Sequence, residues 1–187
     1  MGFCQACGHT TQLKTPVDDH IARQVCDQCG WVLYDNPKIV TACIATWHDK
    51  VLWIQRATEP KLGFWAIPSG YMETGETPEQ SAARELFEET RAVIHPDALR
   101  LFLIGSLPSM NQVYLVYRGE LSSPVFETTP EASQVALLTY AEAQFDHYAY
   151  PEVAEPIHRF YQDHQRGSYG VYTGQYIDGR HTLTQVN

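Results

Sequence analysis

The order of apolar and polar positions divides the chain into short strands and two helical stretches. "KIVTACIATW" and "VLWIQR" are apolar, β-branched runs on either side of His48-Asp49-Lys50, and they predict a β-hairpin. Residues 63–68 predict a short strand leading into a turn. Over residues 77–90 the period changes to that of a helix. Thr77 followed three residues later by Gln80 forms a capping box, with Pro78 at the first helical position. At 100° per residue Ala83, Leu86, Phe87 and Thr90 share one face, which is expected to pack inward.

Further strands are predicted near residues 98–105, 112–121 and 134–140, the second alternating as "QVYLVYRGEL". Residues 151–165 predict a second helix despite Pro156, with Val153, Ile157 and Phe160 or Tyr161 inward and Gly167 ending it. Strands interleaved with two helices give an α+β class, a mixed sheet with a helix on each face. The tail from Ser168 is polar and tyrosine-rich, and its pattern leaves three options open: an added strand, an arm onto a partner subunit, or partial disorder.

Composition narrows the class. The 187 residues suffice for one good core and a small satellite, and 44% hydrophobic with 19% charged residues describes a soluble globular protein. A net charge of −9 argues against a broad basic surface for nucleic acid. The N-terminus carries cysteines rather than a basic and apolar leader, and no apolar run approaches the roughly 20 residues of a membrane span. A cytoplasmic protein with no membrane partner is expected.

Cys4-x2-Cys7-Gly8 and Cys26-x2-Cys29-Gly30 are two knuckles separated by 18 residues. That spacing is typical of a zinc ribbon, where four thiolates close a tetrahedral structural site. A short, loop-rich segment has little apolar material, so Zn2+ would supply its folding energy. Two disulfides would require an oxidising compartment that nothing else suggests. Cys43 lies in an apolar strand pattern and is expected in the core. Residues 1–36 carry Lys14 and Arg23 against Asp18, Asp19, Asp27 and Asp35, so the ribbon has no basic stripe for phosphates. A scaffold or dimerisation role is expected instead, and a homodimer is possible.

The stretch "GYMETGETPEQSAARELFEET" holds six glutamates against one arginine. On the helix, Glu85, Glu88 and Glu89 stand at i, i+3 and i+4 and direct their carboxylates to one region. Like charges at this spacing cost a helix roughly 0.2–0.5 kcal/mol per pair. A solvated acidic face is the bland explanation; a bound Mg2+ or Mn2+ is the sharper one, since hard cations take oxygen ligands. Glu79 on the same helix points elsewhere.

Gly70, five residues, Glu76, seven residues, then Arg84-Glu85-Leu86-Phe87-Glu88-Glu89 resembles the Nudix box, G-x5-E-x7-R-E-U-x-E-E-x-G-U, where U is a bulky apolar residue. Every ionic position matches. Arg91 stands where the pattern has its second glycine, expected to be a left-handed C-cap. With the cysteine knuckles and "RQVCDQCGWVLYDNPKIV", the chain resembles Nudix hydrolases bearing an N-terminal zinc ribbon, the group of NADH and FAD pyrophosphatases.

The resemblance implies a zinc ribbon over residues 1–36, a Nudix α/β/α sandwich over 37–166 and a tail over 167–187. It further implies Mg2+ or Mn2+ held by Glu85, Glu88, Glu89 and the carbonyl of Gly70, with Arg84 orienting the glutamates and Glu76 fixing the turn. A further loop acid is usual in this family; Glu131 is the candidate and Glu127 the competitor, and the general base stays open between Glu85 and such a loop glutamate.

The implied reaction is metal-dependent hydrolysis of a diphosphate bridge in a small nucleotide, releasing a nucleoside monophosphate. Phe64, Trp65, Tyr71 and Tyr114 are the aromatic candidates for stacking on a base, with Trp65 expected to be structural. Bacterial NADH pyrophosphatases carry an S-Q-P-W-P-F-P segment. This chain has "GSLPSMNQVY" there, which weakens the case for NADH and leaves FAD, ADP-ribose and related compounds open. Two other classes stand beside the enzyme: a non-catalytic nucleotide sensor, disfavoured by the intact glutamates, and an RNA-directed decapping-type protein, disfavoured by the acidic ribbon.

Overall fold

A computed structural model describes all residues except Met1, Glu152, Val153 and Asn187. The chain falls into two compact units, Met1–Asn36 and Pro37–Asn187. The smaller holds a three-stranded antiparallel sheet of β1 (Thr11–Lys14), β2 (Arg23–Cys26) and β3 (Val32–Leu33), in the order β1-β2-β3.

The larger unit is built on a nine-stranded mixed sheet. Its strands are β4 (Lys38–Trp47), β5 (Lys50–Arg56), β6 (Trp65–Ala66), β7 (Ser69–Tyr71), β8 (Arg100–Leu107), β9 (Gln112–Glu120), β10 (Ala132–Leu138), β11 (Val171–Ile177) and β12 (Arg180–Val186). The main path runs β10-β5-β4-β9-β8-β11-β12, while β6 pairs with β5 and β7 with β4. The expected hairpin of β4 and β5 turns tightly through His48-Asp49, with His48 at φ 55°. Parallel pairs occur at β4–β9 and β8–β11.

Two helices cover opposite faces of this sheet: α1 (Pro78–Thr90) and α2 (Ala154–Arg166). Leu86 and Ala82 of α1 pack with Cys43, Ala45, Leu52 and Tyr117 in one core. Ile157, Phe160 and Tyr161 of α2 pack with Ile44, Trp53 and Phe102 in the other. This is the expected α+β sandwich. Ile157, Phe160 and Tyr161 are all buried as anticipated, while Val153 lies outside the described residues.

The inward face of α1 differs from the reading by period. Phe87 is 46% exposed, and the buried residues are Ser81, Ala82, Leu86, Glu89 and Thr90. The physical cause is the small pair Ser81-Ala82. It lets the helix lie close on β4, where Ser81 Oγ and Thr41 Oγ1 hydrogen-bond at 2.8 Å. That contact fixes the helix rotation, turns Glu89 inward and leaves Phe87 in solvent beneath the Arg91 guanidinium, 5.2 Å from its ring.

The tail adopts the first of its three options. β11 and β12 form a hairpin through Asp178-Gly179, and β11 runs parallel to β8. Asp163, buried on α2, anchors it by accepting from the Tyr172 hydroxyl at 2.7 Å and the Gly170 amide at 3.1 Å.

Candidate functional site

The turn before α1 and the helix N-terminus are set by local hydrogen bonds. Thr77 Oγ1 accepts from the Gln80 amide at 3.3 Å, and Gln80 Oε1 accepts from the Thr77 amide at 2.8 Å, which completes the capping box. Upstream, Glu76 Oε2 accepts from the Glu73 amide at 3.0 Å across the turn at Gly75, whose φ is 95°. At the other end Arg91 takes the left-handed C-cap at φ 61° and donates its amide to the Phe87 carbonyl.

Arg84 is the hub of the acidic group. Its Nε and Nη2 bond both oxygens of Glu76 at 2.5 and 3.0 Å, a two-point fork that an ammonium group cannot reproduce. Its Nη1 reaches Glu85 at 2.6 Å and Glu88 at 2.9 Å, and Nη2 also donates to the Tyr71 carbonyl. The Arg84 guanidinium holds the Glu76 carboxyl well down, at about 2. Thus one cation binds the turn to Glu85 and Glu88, two of the four glutamates of the helix.

The carboxylates occupy graded environments. Glu88 is exposed at the rim. Glu85 sits beneath β7, where Gly70 leaves room for it: a Cβ on residue 70 would lie 2.4 Å from both carboxylate oxygens. Burial raises the Glu85 pKa, opposed by Arg84 and assisted by the charges of Glu88 and Glu131. Glu89 is only 4% exposed, and burial pushes its carboxyl up to about 8. The Ser69 amide, donating to Glu89 Oε2 at 2.9 Å, opposes that rise, while Glu85 and Glu131 add to it.

Glu131 is therefore close enough for its charge to reach both Glu85 and Glu89. The turn that presents it is tied to the box helix, since Thr129 Oγ1 donates to the Glu89 carbonyl and accepts from the Glu131 amide. The Glu127 amide donates to the Thr90 carbonyl. Arg56 was not singled out from sequence. Its charge acts on Glu89, and its guanidinium lies 5.7 Å from the Tyr150 ring. No linear signal marks it, because β5 and the box are distant along the chain.

Ser69 also lines a narrow cleft of about 20 Å³, room for about one water, on the sheet face opposite α1, together with Ala42, Tyr114, Tyr148 and Tyr150. Of the aromatic candidates, Tyr114 lines this cleft, Trp65 packs against the core, and Phe64 and Tyr71 are exposed.

A divalent cation fits this donor set. Glu85 and Glu89 both have raised pKa with the Glu85 charge acting on Glu89, Glu85 lies against a residue lacking a side chain, and among the described residues the buried Glu89 carboxyl has one hydrogen bond, from the Ser69 amide. Such groups are stabilised as anions by a positive ion. The carboxylates gather around Arg84 rather than around one point. Among the described residues the group with all ligand atoms within 4.8 Å of one another is Cys4, Cys7, Cys26 and Cys29.

The two cysteine knuckles are built alike. The Cys4 amide donates to the His9 carbonyl and the Gly8 amide to that of Cys4; the Cys26 amide donates to the Trp31 carbonyl and the Gly30 amide to that of Cys26. Gly8 and Gly30 both have left-handed φ, 76° and 73°. The Sγ atoms of Cys4 and Cys29 are 3.6 Å apart and those of Cys7 and Cys26 3.5 Å, so the thiols are not disulfide-bonded. Zn–S bonds of about 2.3 Å give tetrahedral edges of about 3.8 Å, and the quartet fits zinc.

Family models match both units: NUDIX domain over residues 36–161 and the zinc-ribbon model described as Nudix N-terminal over residues 2–35. The chain belongs to the Nudix family. Among solved structures it is similar to a NUDIX hydrolase from Nitrosomonas europaea, with 34% identity, a TM-score of 0.88, and coverage of 94% of this chain and 99% of that one. It is 38% identical over 91 residues to the NAD-capped RNA hydrolase NudC of Haemophilus influenzae, covering 47% of this chain and 33% of that protein. It is 34% identical over 94 residues to an ADP-ribose pyrophosphatase of Methanocaldococcus jannaschii, covering 50% and 52%. The matched piece is thus about a third of the NudC relative and about half of the archaeal one. The residues gathered around Arg84 all lie within the span that the NUDIX domain model matches.

Proposed function

We propose that this Nudix protein hydrolyses the diphosphate bridge of a small nucleoside diphosphate derivative, such as a dinucleotide or ADP-ribose, in the presence of Mg2+ or Mn2+. One observation carries the reading: burial lifts the Glu89 carboxyl to about 8 with the Glu85 charge acting on it, and it accepts from the amide of Ser69, next to the glycine that makes room for Glu85. A sensor that only binds nucleotide has no use for buried carboxylates, which destabilise the free protein.

Glu85, Glu88, Glu89 and the Gly70 carbonyl would hold the cations. When bound, these neutralise the phosphate oxygens and lower the pKa of a coordinated water. Arg84 keeps the Glu85 and Glu88 carboxylates aimed by its hydrogen bonds to both, and through Glu76 it fixes the turn that carries the Gly70 carbonyl. Glu131, exposed and close enough for its charge to act on Glu85 and Glu89, would accept the proton of the attacking water. The new bond forms between water oxygen and phosphorus as the bridging P–O bond breaks, giving a nucleoside monophosphate and a second phosphate ester. The cysteine quartet would hold zinc as a closed structural site.

A second reading is favoured by the name of the Haemophilus relative, hydrolysis at an NAD cap on RNA. The acidic ribbon and the net charge of −9 support the small nucleotide instead. The test is a panel of FAD, NADH, ADP-ribose, coenzyme A, diadenosine compounds and NAD-capped RNA with Mg2+ or Mn2+. Monophosphate release from a small substrate is expected. Turnover confined to capped RNA would transfer the assignment, and none on any substrate would favour a sensor.

A further inference from the structure

We propose that the protein self-associates by antiparallel pairing of β12 with β12 of a second copy, about a two-fold axis through Leu183. The two ends of the nine-stranded sheet are β10 and β12, and they are finished differently. β10 carries a register shift between Ala132 and Gln134, an irregularity of the kind that blunts an edge against pairing. β12 pairs with β11 through seven consecutive positions without a break. It contains no proline, lysine or acidic residue, and Arg180 at its start is its one permanent charge. An unbroken strand without such features is a template for another strand.

The polarity of that edge follows from the turn. Asp178 and Gly179 both have positive φ, 51° and 76°, which is the two-residue type I′ hairpin. Such a turn makes Ile177 and Arg180 a hydrogen-bonded pair, and alternation makes Gln175–Thr182, Thr173–Thr184 and Val171–Val186 the next ones. The N–H and C=O groups of His181, Leu183 and Gln185 therefore point away from β11. Among the described residues no backbone hydrogen bond joins them to another element.

This unpaired row complements itself. Antiparallel placement centred on Leu183 sets Leu183 opposite Leu183 of the second copy and His181 opposite its Gln185. All of these become hydrogen-bonded pairs. Thr182 then faces Thr184 of the second copy in the intervening close pair, on the exposed side of the sheet, and Val186 is covered by the stem of Arg180. Charge favours the same place: residues 168–187 hold one Asp and one Arg, while the whole chain carries −9. Two acidic copies meet there with the least repulsion. Four strand spacings of about 4.8 Å separate β12 from β4, so pairing leaves the glutamate cluster open.

Sedimentation velocity between about 1 and 200 µM tests the proposal. The seven-residue pairing is small, so a concentration-dependent dimer of the 21.2 kDa chain is expected. Gln185→Pro removes an outward N–H without breaking a β11–β12 hydrogen bond, and should shift the dimer midpoint at least tenfold with an unchanged melting temperature. Thr182→Lys/Thr184→Lys should likewise give monomers, because each lysine meets another across the axis. Thr182→Lys/Thr184→Glu places opposite charges there and should restore the dimer, which keeps the test informative if the proline variant misfolds. A wild-type chain that stays monomeric throughout, or a dimer indifferent to the lysine pair, would overturn the proposal.

Discussion

Gly70 lies against the Glu85 carboxylate so closely that a Cβ would meet both its oxygens at 2.4 Å. The backbone of residue 70 is not in the left-handed region, so the need for glycine is one of space rather than of φ. Gly70→Ala should fold normally but push the carboxylate aside. A displacement of this scale at a reacting centre costs about a hundredfold in turnover. Steady-state kinetics should show that loss in kcat with KM little changed. Wild-type turnover from the alanine variant would remove Glu85 from the cation site.

The buried Glu89 carboxyl predicts how the metal-free protein responds to pH. Its folded pKa, about 8, lies above the ordinary value of 4.5. The neutral acid is favoured by folding, so this contribution is fully present below about pH 4.5 and is lost as pH rises through about 8. A displacement of that size is worth on the order of a few kcal/mol. Urea unfolding in chelator should therefore show Glu89→Gln more stable than wild type at pH 8.5 and equal to it near pH 4.5. Adding Mg2+ should stabilise the wild type more than the variant.

Arg84 binds Glu76, Glu85 and Glu88 at once, and Arg84→Lys cannot make the two-point contact with Glu76. Loss of a residue that aims metal ligands typically costs 10–100-fold in affinity or activity, roughly the change expected here. A Mg2+ titration of activity should show a higher half-saturating concentration as well as a lower plateau. An unchanged titration curve would reduce Arg84 to a surface ion pair.

The cysteine quartet predicts about one zinc per chain in freshly purified protein. Because metal binding in such a segment is folding free energy, Cys26→Ser should melt the ribbon while leaving turnover of the folded Nudix unit within about threefold. Elemental analysis and a two-transition thermal melt would read both. Retained melting with lost turnover would reassign zinc to the chemistry.

What the sequence by itself determined was local or set by spacing. The capping box at Thr77 and Gln80, the left-handed cap at Arg91 and the two cysteine knuckles each satisfy backbone groups within a few residues. Nothing distant is needed to form them. The ordering of Glu76, Arg84, Glu85, Glu88 and Glu89 is legible for the same reason, since helical geometry turns sequence offsets into directions.

Which of those directions faces inward was decided by tertiary structure. Apolar periodicity favours burying Phe87, yet the Ser81–Thr41 contact rotates α1 so that Phe87 is exposed and Glu89 is buried. Glu79, expected to point elsewhere, stands apart from the hydrogen bonds that gather Glu76, Glu85 and Glu88 around Arg84. The influence of Glu131 on the buried carboxyls, and of Arg56 beside it, depends on β10 and β5 meeting in the sheet. The tail likewise becomes strand because Asp163 and β8 offer partners from far along the chain. Burial and charge interaction are set by three-dimensional distance, and a linear pattern encodes that only where the intervening backbone is regular.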